Sequence, residues 1–200
     1  MRPPAVTEPE VTGPDVAEPG VSLNNIANWL TVARIALVPV VVAGLLAGGT
    51  AWRLVALAAF GVASVTDLLD GKLARSRGLV TDFGKIADPV ADKALTGAAL
   101  ICLSALGELW WWVTVVIMVR ELGVTALRFW VIRRGVIAAS RGGKLKTLLQ
   151  IIAICLYIFP WGNGIVRGVV MGAAVLATVV TGADYLLRAV RLHQGKEMGR

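Results

Sequence analysis

The chain has 200 residues, of which 56% are hydrophobic and only 16% charged, with a formal net charge of +7. A soluble domain carries about 25% charged residues, so this composition excludes an ordinary soluble enzyme and points to an integral membrane protein. The only histidine is His193, and Cys102 and Cys155 stand isolated in apolar runs, which leaves no set of ligands for a structural zinc and no disulfide framework.

Residues 1–20 carry Pro3, Pro4, Pro9, Pro14 and Pro19 with Glu8, Glu10, Asp15 and Glu18, and almost no large apolar side chain. Such a stretch cannot bury enough surface to order itself, so a disordered cytosolic tail is expected. It lacks the basic start and short apolar core of a cleavable signal, so the first span is expected to stay as an anchor. Residues 21–32 place Leu23, Ile26, Trp29 and Leu30 among Asn24, Asn25 and Asn28, the pattern of an amphipathic helix lying at a membrane surface.

Apolar stretches of membrane-spanning length then follow near 33–48, 52–71, 87–106, 109–132, 146–161 and 164–187. The expected fold is therefore all-α: six transmembrane helices over residues 33–192, preceded by the juxtamembrane helix and followed by a short cytosolic tail over 193–200. The basic residues decide the orientation. Lys72, Arg75, Arg77 and Lys85, then Arg133, Arg134, Arg141, Lys144 and Lys146, then Arg188, Arg191, Lys196 and Arg200 fall on one side. Arg53 and Arg167 fall on the other, with Trp52, Trp110, Trp111, Trp112 and Trp161 as an interfacial belt. Both signals place the N- and C-termini in the cytoplasm of a multi-pass cell-membrane protein. This topology also accounts for the positive charge without nucleic-acid binding.

Four aspartates interrupt the apolar pattern: Asp67 and Asp70 at i and i+3, Asp88 and Asp92 at i and i+4. Each interval puts two carboxylates on one helix face. A charged group at mid-bilayer costs about 2.5–3.5 kcal/mol on insertion scales, so such groups are kept for a partner or a task. A tight turn between the two helices would bring all four together, and their mutual repulsion would demand cations. Oxygen-only ligands favour a hard divalent ion such as Mg²⁺ or Mn²⁺, with two ions expected and open positions for phosphate oxygens.

Asp67-x₂-Asp70-Gly71-x₂-Ala74-Arg75-x₈-Gly84-x₃-Asp88-x₃-Asp92 resembles the signature of the CDP-alcohol phosphatidyltransferases at every fixed position. Within that family the chain is most similar to the branch that makes phosphatidylglycerophosphate. The segments supporting this are Asn25 to Arg34, Asp82 to Lys85, Asp88 to Lys93, Arg120-Glu121 and Ser140 to Thr147, and the resemblance runs over about residues 22–192. It implies transfer of a phosphatidyl group from CDP-diacylglycerol to glycerol 3-phosphate with release of CMP, and a homodimer in the lipid bilayer. It also implies that Asp67, Asp70, Asp88 and Asp92 hold the metal ions, with Asp92 serving as general base. Gly71, Ala74 and Arg75 would face the CDP group together with Asp67 and Asp70, and Asn28 and Thr31 would add contacts from the first helix.

Small residues let a flat base or a phosphate approach a helix closely, although Gly71 also reads as a helix end. The dianionic acceptor needs cations, for which Arg34, Arg120, Lys144 and Lys146 are the candidates. Arg120 alternatively pairs with a carboxylate such as Glu121 inside the membrane. Lys144 and Lys146 alternatively only set topology. Gly168 and Gly172 form a small-x₃-small pair suited to close helix packing, within one subunit or between two. Three rivals stay open: a sibling using inositol 1-phosphate, serine or phosphatidylglycerol as acceptor; an intramembrane prenyltransferase; and a small cation transporter.

Overall fold

The computed structural model describes the backbone of residues 26–77, 82–132 and 141–197, and side chains over 29–67, 90–127 and 143–187. The helices in chain order are α1 (Ile26–Ala47), α2 (Thr50–Arg77), α3 (Asp82–Ala105), α4 (Trp111–Ile132), α5 (Arg141–Ile158) and α6 (Gly164–Glu197), and no strand occurs among the described residues. The tail expected over 1–20 lies outside the described residues, and so does the start of the juxtamembrane helix. From Ile26 that helix runs into the first span without a break, because nothing between Ile26 and Pro39 interrupts the backbone hydrogen-bond ladder. At the other end α6 continues to Glu197, five residues into the segment expected as a tail.

Local chemistry sets the ends. Gly48 and Gly49 adopt φ of 70° and 77° and make the whole connection between α1 and α2. α3 stops in a Schellman motif: Gly107 (φ 74°) donates to Ser104 O at 3.0 Å and Glu108 N donates to Leu103 O at 3.0 Å. Asn163 caps α6, its Oδ1 accepting from Ile165 N at 2.9 Å. Asn163→Ala should cost about 1 kcal/mol, a typical N-cap loss, read as a lower midpoint of thermal unfolding in detergent, while Asn163→Asp should stay near wild type.

Short links make successive helices alternate in direction. One end of the bundle therefore collects the start of α1, the C-terminal halves of α2 and α4, and the N-terminal halves of α3 and α5. The core lies toward the opposite end. There Val41 and Leu45 of α1 meet Ala56, Ala59, Phe60 and Ala63 of α2, with Leu100, Leu103, Ile117, Ile154, Ile158 and Met171 completing it. Small residues let α1 approach α2 closely: a Cβ on Gly44 would stand 2.8 Å from Trp52 O. A polar clamp closes this end, where Glu108 accepts from Arg53 at 2.5 Å and lies 3.9 Å from Arg167. Arg167 also lies 5.3 Å over the Tyr157 ring.

Burial does not sort polar from apolar residues as it does in a soluble protein. Arg34, Glu121, Lys146, Gln150 and Thr178 are buried, while Val62, Val119, Leu148, Ile165, Val169 and Leu176 are exposed. An exterior of large aliphatic side chains over buried charged residues suits lipid as the surrounding solvent. Two helical segments, Trp29–Ala47 and Gly164–Leu187, are long and apolar enough to cross a membrane by themselves. The other four helices carry Asp67, Asp92, Lys93, Arg120, Glu121 and Lys146, which gather inside with Arg34 of α1. Gly168 and Gly172 meet nothing within 4 Å, so their close-packing surface is not used inside the subunit among the described residues.

Candidate active site

At the end where α1 starts, a cavity of about 450 Å³, including its open mouth, is lined by five helices. Arg34 comes from α1, Ser64 and Asp67 from α2, Asp92, Lys93, Leu95 and Thr96 from α3, Glu121 from α4, and Lys146, Thr147, Gln150, Ile151 and Ile154 from α5. The helical repeat explains the selection. Asp92 and Thr96 stand at i and i+4, and Lys146, Gln150 and Ile154 at i, i+4 and i+8, so each helix turns one stripe inward.

The acidic wall holds Asp67 and Asp92. The Arg34 guanidinium, 2% exposed, lies 2.9 Å from Asp67 Oδ1. Lys93 Nζ donates to Asp92 Oδ2 at 2.6 Å. Each carboxylate thus has a cation beside it. α2 and α3 make few direct contacts among the described residues, α1 packs on both, and Asp67 and Asp92 both line the cavity.

The basic wall is organised by one residue. Glu121 accepts from Lys146, from Arg120 at 3.1 Å, and lies 2.7 Å from Lys93. Among the described residues, three cations meet one buried carboxylate, and Asp92, shared with Lys93, does not offset the excess of positive charge. Buried charges of this kind are costly unless paired, so the surplus draws an anion into the cavity. Arg120 also donates to Thr181 Oγ1 at 3.0 Å, its Nε has no partner, and Gly182 makes room for it, since a Cβ there would stand 3.0 Å from Arg120 Cγ.

The expected site residues are thus sorted. Asp67, Asp92, Arg34 and Lys146 line one cavity. Arg34, expected with the acceptor-binding cations, is instead held on Asp67, because α1 packs against α2 and brings the two within contact. Arg120 pairs with Glu121, which was its alternative reading, beside the cavity wall. Lys144 is exposed and off the wall, two residues before Lys146 and so on another helix face. Thr31 is buried one turn before Arg34. Asn28, Asp70, Gly71, Ala74, Arg75 and Asp88 fall within helices, but their side chains lie outside the described residues. Gly71 is inside α2, which continues to Arg77, so it is not a helix end.

Lys93, Glu121 as the hub, and Gln150 were not singled out as site residues from the sequence. Their signal was available: each is a polar residue inside an apolar run, one position or one helical turn from a residue already chosen.

A divalent ion fits this donor set in chemistry. Asp67 and Asp92 offer oxygen ligands to one cavity, and Asp70 and Asp88 belong to the same two helices one turn away. Among the described residues no three His, Cys, Asp or Glu side chains gather into a metal site by themselves.

Comparison with known proteins agrees with this site. The family model for CDP-alcohol phosphatidyltransferases matches residues 24–180. The chain is 55% identical over 172 residues to a probable phosphatidylglycerophosphate synthase of Mycobacterium tuberculosis (strain ATCC 25618 / H37Rv), covering 84% of this chain and 82% of the relative. It is 39% identical over 184 residues to the CDP-diacylglycerol–glycerol-3-phosphate 3-phosphatidyltransferase of Bacillus subtilis (strain 168), covering 80% and 93%. Identity to the protein of the same name from Rickettsia felis (strain ATCC VR-1525 / URRWXCal2) is 35% over 168 residues, covering 80% and 93%. Members of this family are membrane enzymes that generally depend on divalent metal. A profile match over most of the chain, with a cavity that sets paired carboxylates against buried cations, leads to one conclusion: the chain belongs to the CDP-alcohol phosphatidyltransferase family.

Proposed function

We propose that this chain transfers the phosphatidyl group of CDP-diacylglycerol to sn-glycerol 3-phosphate, forming phosphatidylglycerophosphate and CMP. The observation that carries this reading is the joining of an acidic wall, Asp67 and Asp92, to a basic wall around Glu121 within one cavity. A diphosphate held through cations and a dianionic acceptor need the two walls respectively. The named relatives act on this donor and acceptor pair, which supports the choice of glycerol 3-phosphate over other alcohols.

Asp67, Asp70, Asp88 and Asp92 are the residues that would hold Mg²⁺ or Mn²⁺. Such ions, when bound, offset the negative charge of the diphosphate. Gly71, Ala74 and Arg75 border the CDP group, with Asn28 and Thr31 on the α1 side. Lys146, Lys93 and Arg120, oriented by Glu121, attract the acceptor's phosphate. Asp92 takes the proton of the acceptor's primary hydroxyl. The hydroxyl oxygen then bonds to the phosphorus that carries diacylglycerol, and the bond from that phosphorus to the oxygen of CMP breaks, with the electron pair leaving on CMP. Positioning and charge compensation supply most of the acceleration in such transfers.

All six helices span the bilayer in this reading, with both termini and the cavity mouth on the cytoplasmic side, where water-soluble acceptor and CMP exchange. The exposed Trp52, Trp110, Trp111, Trp112 and Trp161 at the opposite end support that placement. A homodimer is the assembly, and the unused faces of Gly168 and Gly172 are compatible with one.

Purified protein with CDP-diacylglycerol and Mn²⁺ should release CMP only when glycerol 3-phosphate is added. A chelator should abolish the release, and excess Mg²⁺ or Mn²⁺ should restore it. Release with inositol 1-phosphate but not glycerol 3-phosphate would overturn the acceptor, and chelator-insensitive turnover would overturn the metal dependence.

A further inference from the structure

The cavity is layered, and its middle layer has no role in the chemistry above. Three helices each put a neutral polar residue one turn inside a charged one: Ser64 below Asp67 on α2, Thr96 below Asp92 on α3, and Gln150 below Lys146 on α5. One turn below Gln150, the fully buried Ile154 forms an apolar floor. One helical turn is about 5.4 Å, so the neutral layer lies within reach of a small molecule anchored at the charged level.

Gln150 is the residue in this layer that asks for a ligand. It is 4% exposed, lines the cavity, and among the described residues its Nε2 has no hydrogen-bond partner. A buried amide left unsatisfied is unfavourable, so such groups are rarely kept in a wall without something to bind. We infer that Gln150 is a specificity-determining residue that hydrogen-bonds the non-reacting secondary hydroxyl of the acceptor, selecting a polyol phosphate over a simple alcohol phosphate. This rests on glycerol 3-phosphate being the acceptor.

Charge separates this assignment from the phosphate. The cations around Glu121 and the carboxylate of Asp92 serve the two ionic or reacting ends of the acceptor. A neutral amide matches its neutral hydroxyl. That hydroxyl both donates and accepts, so it satisfies the amide through either terminus. An apolar floor beneath the shelf would penalise any ligand polar group that fails to find such a partner.

The test compares glycerol 3-phosphate with 3-hydroxypropyl phosphate, which keeps the phosphate and the reacting primary hydroxyl but lacks the secondary one. Wild-type protein with CDP-diacylglycerol and Mn²⁺ should prefer glycerol 3-phosphate in kcat/KM by about 10-fold or more, the range set by leaving a buried donor unpaired. Gln150→Leu should lose that factor on glycerol 3-phosphate and change by less than about 2-fold on the deoxy acceptor. KM for CDP-diacylglycerol should stay unchanged. Gln150→Met, which keeps the length of the side chain, should collapse the preference in the same way and guards against a folding defect peculiar to leucine. Equal losses on both acceptors in both variants would mark Gln150 as merely structural and overturn the inference, as would a wild-type enzyme that does not distinguish the two acceptors. Wild-type protein inactive with both would instead overturn the proposed function, and this assignment with it.

Discussion

Asp92→Asn should lower CMP release by about 10²–10⁴-fold, the usual contribution of a positioned general base, while the protein still inserts and binds CDP-diacylglycerol. Asparagine keeps the size and the hydrogen-bonding oxygen of the side chain but can neither take the proton nor carry the charge that Lys93 and a divalent ion would share. Asp67→Asn should be as severe by another route. It removes an anionic oxygen from the acidic wall and strips Arg34 of its partner at 2.9 Å. The two losses are separable by pH. If Asp92 is the base, the residual rate of Asp92→Asn should rise with pH as hydroxide supplants it, whereas Asp67→Asn should respond to higher concentrations of Mn²⁺. CMP release measured over pH and metal concentration checks both. Wild-type turnover in Asp92→Asn would remove its assigned role.

Glu121→Leu should have the largest effect on stability. Glu121 is 4% exposed and anchors Lys93, Arg120 and Lys146 from three helices. Removing one member of a buried ionic set leaves uncompensated charge, and the cost is about 3–5 kcal/mol. The cost arises because Lys146, 3% exposed, would keep its charge with no carboxylate beside it. Thermal unfolding in detergent should show a markedly lower midpoint for Glu121→Leu. The double replacement Glu121→Leu with Lys146→Leu should recover part of the loss, since two apolar side chains then replace a charge and its partner. A single replacement with an unchanged midpoint would show that water reaches this cluster freely. The double variant should nevertheless remain inactive, because the cation that draws the acceptor's phosphate is gone.

These expectations place Glu121 and Asp92 in different roles, although Lys93 touches both at 2.7 and 2.6 Å. Lys93 ties the proton-accepting carboxylate to the hub that orients the phosphate-binding cations. Strain or charge change on one wall is therefore felt on the other. Residues coupled in this way are not expected to give additive losses when changed together.

How much of this was legible beforehand can be followed residue by residue. Asp67 and Asp92 announce themselves, because ionised groups in apolar helices need a task, and helical spacing aims each pair at one face. Their convergence on one cavity was expected, and the described members converge. The role of Arg34 was not legible: whether it meets a phosphate or Asp67 depends on how α1 sits between α2 and α3, and no local pattern encodes that. Lys144 and Lys146 look equivalent as letters two apart. Only the rotation of α5 buries one and exposes the other. Glu121 was visible as a partner for Arg120, but its hold on Lys93 and Lys146 spans residues 93–146 and arises from helix packing alone.

The order of residues by itself determined the all-helical architecture, the family signature from Asp67 to Asp92, and the apolar exterior, because these follow from composition and from a 3.6-residue period. Tertiary structure decided which cation neutralises which carboxylate, which lysine faces inward, and that a neutral shelf of Ser64, Thr96 and Gln150 underlies the charged layer. The physical reason is one of range. Periodicity acts over one or two helical turns, whereas ion pairing and cavity shape depend on the relative rotation and depth of helices far apart in the chain, and those are settled only when the core packs.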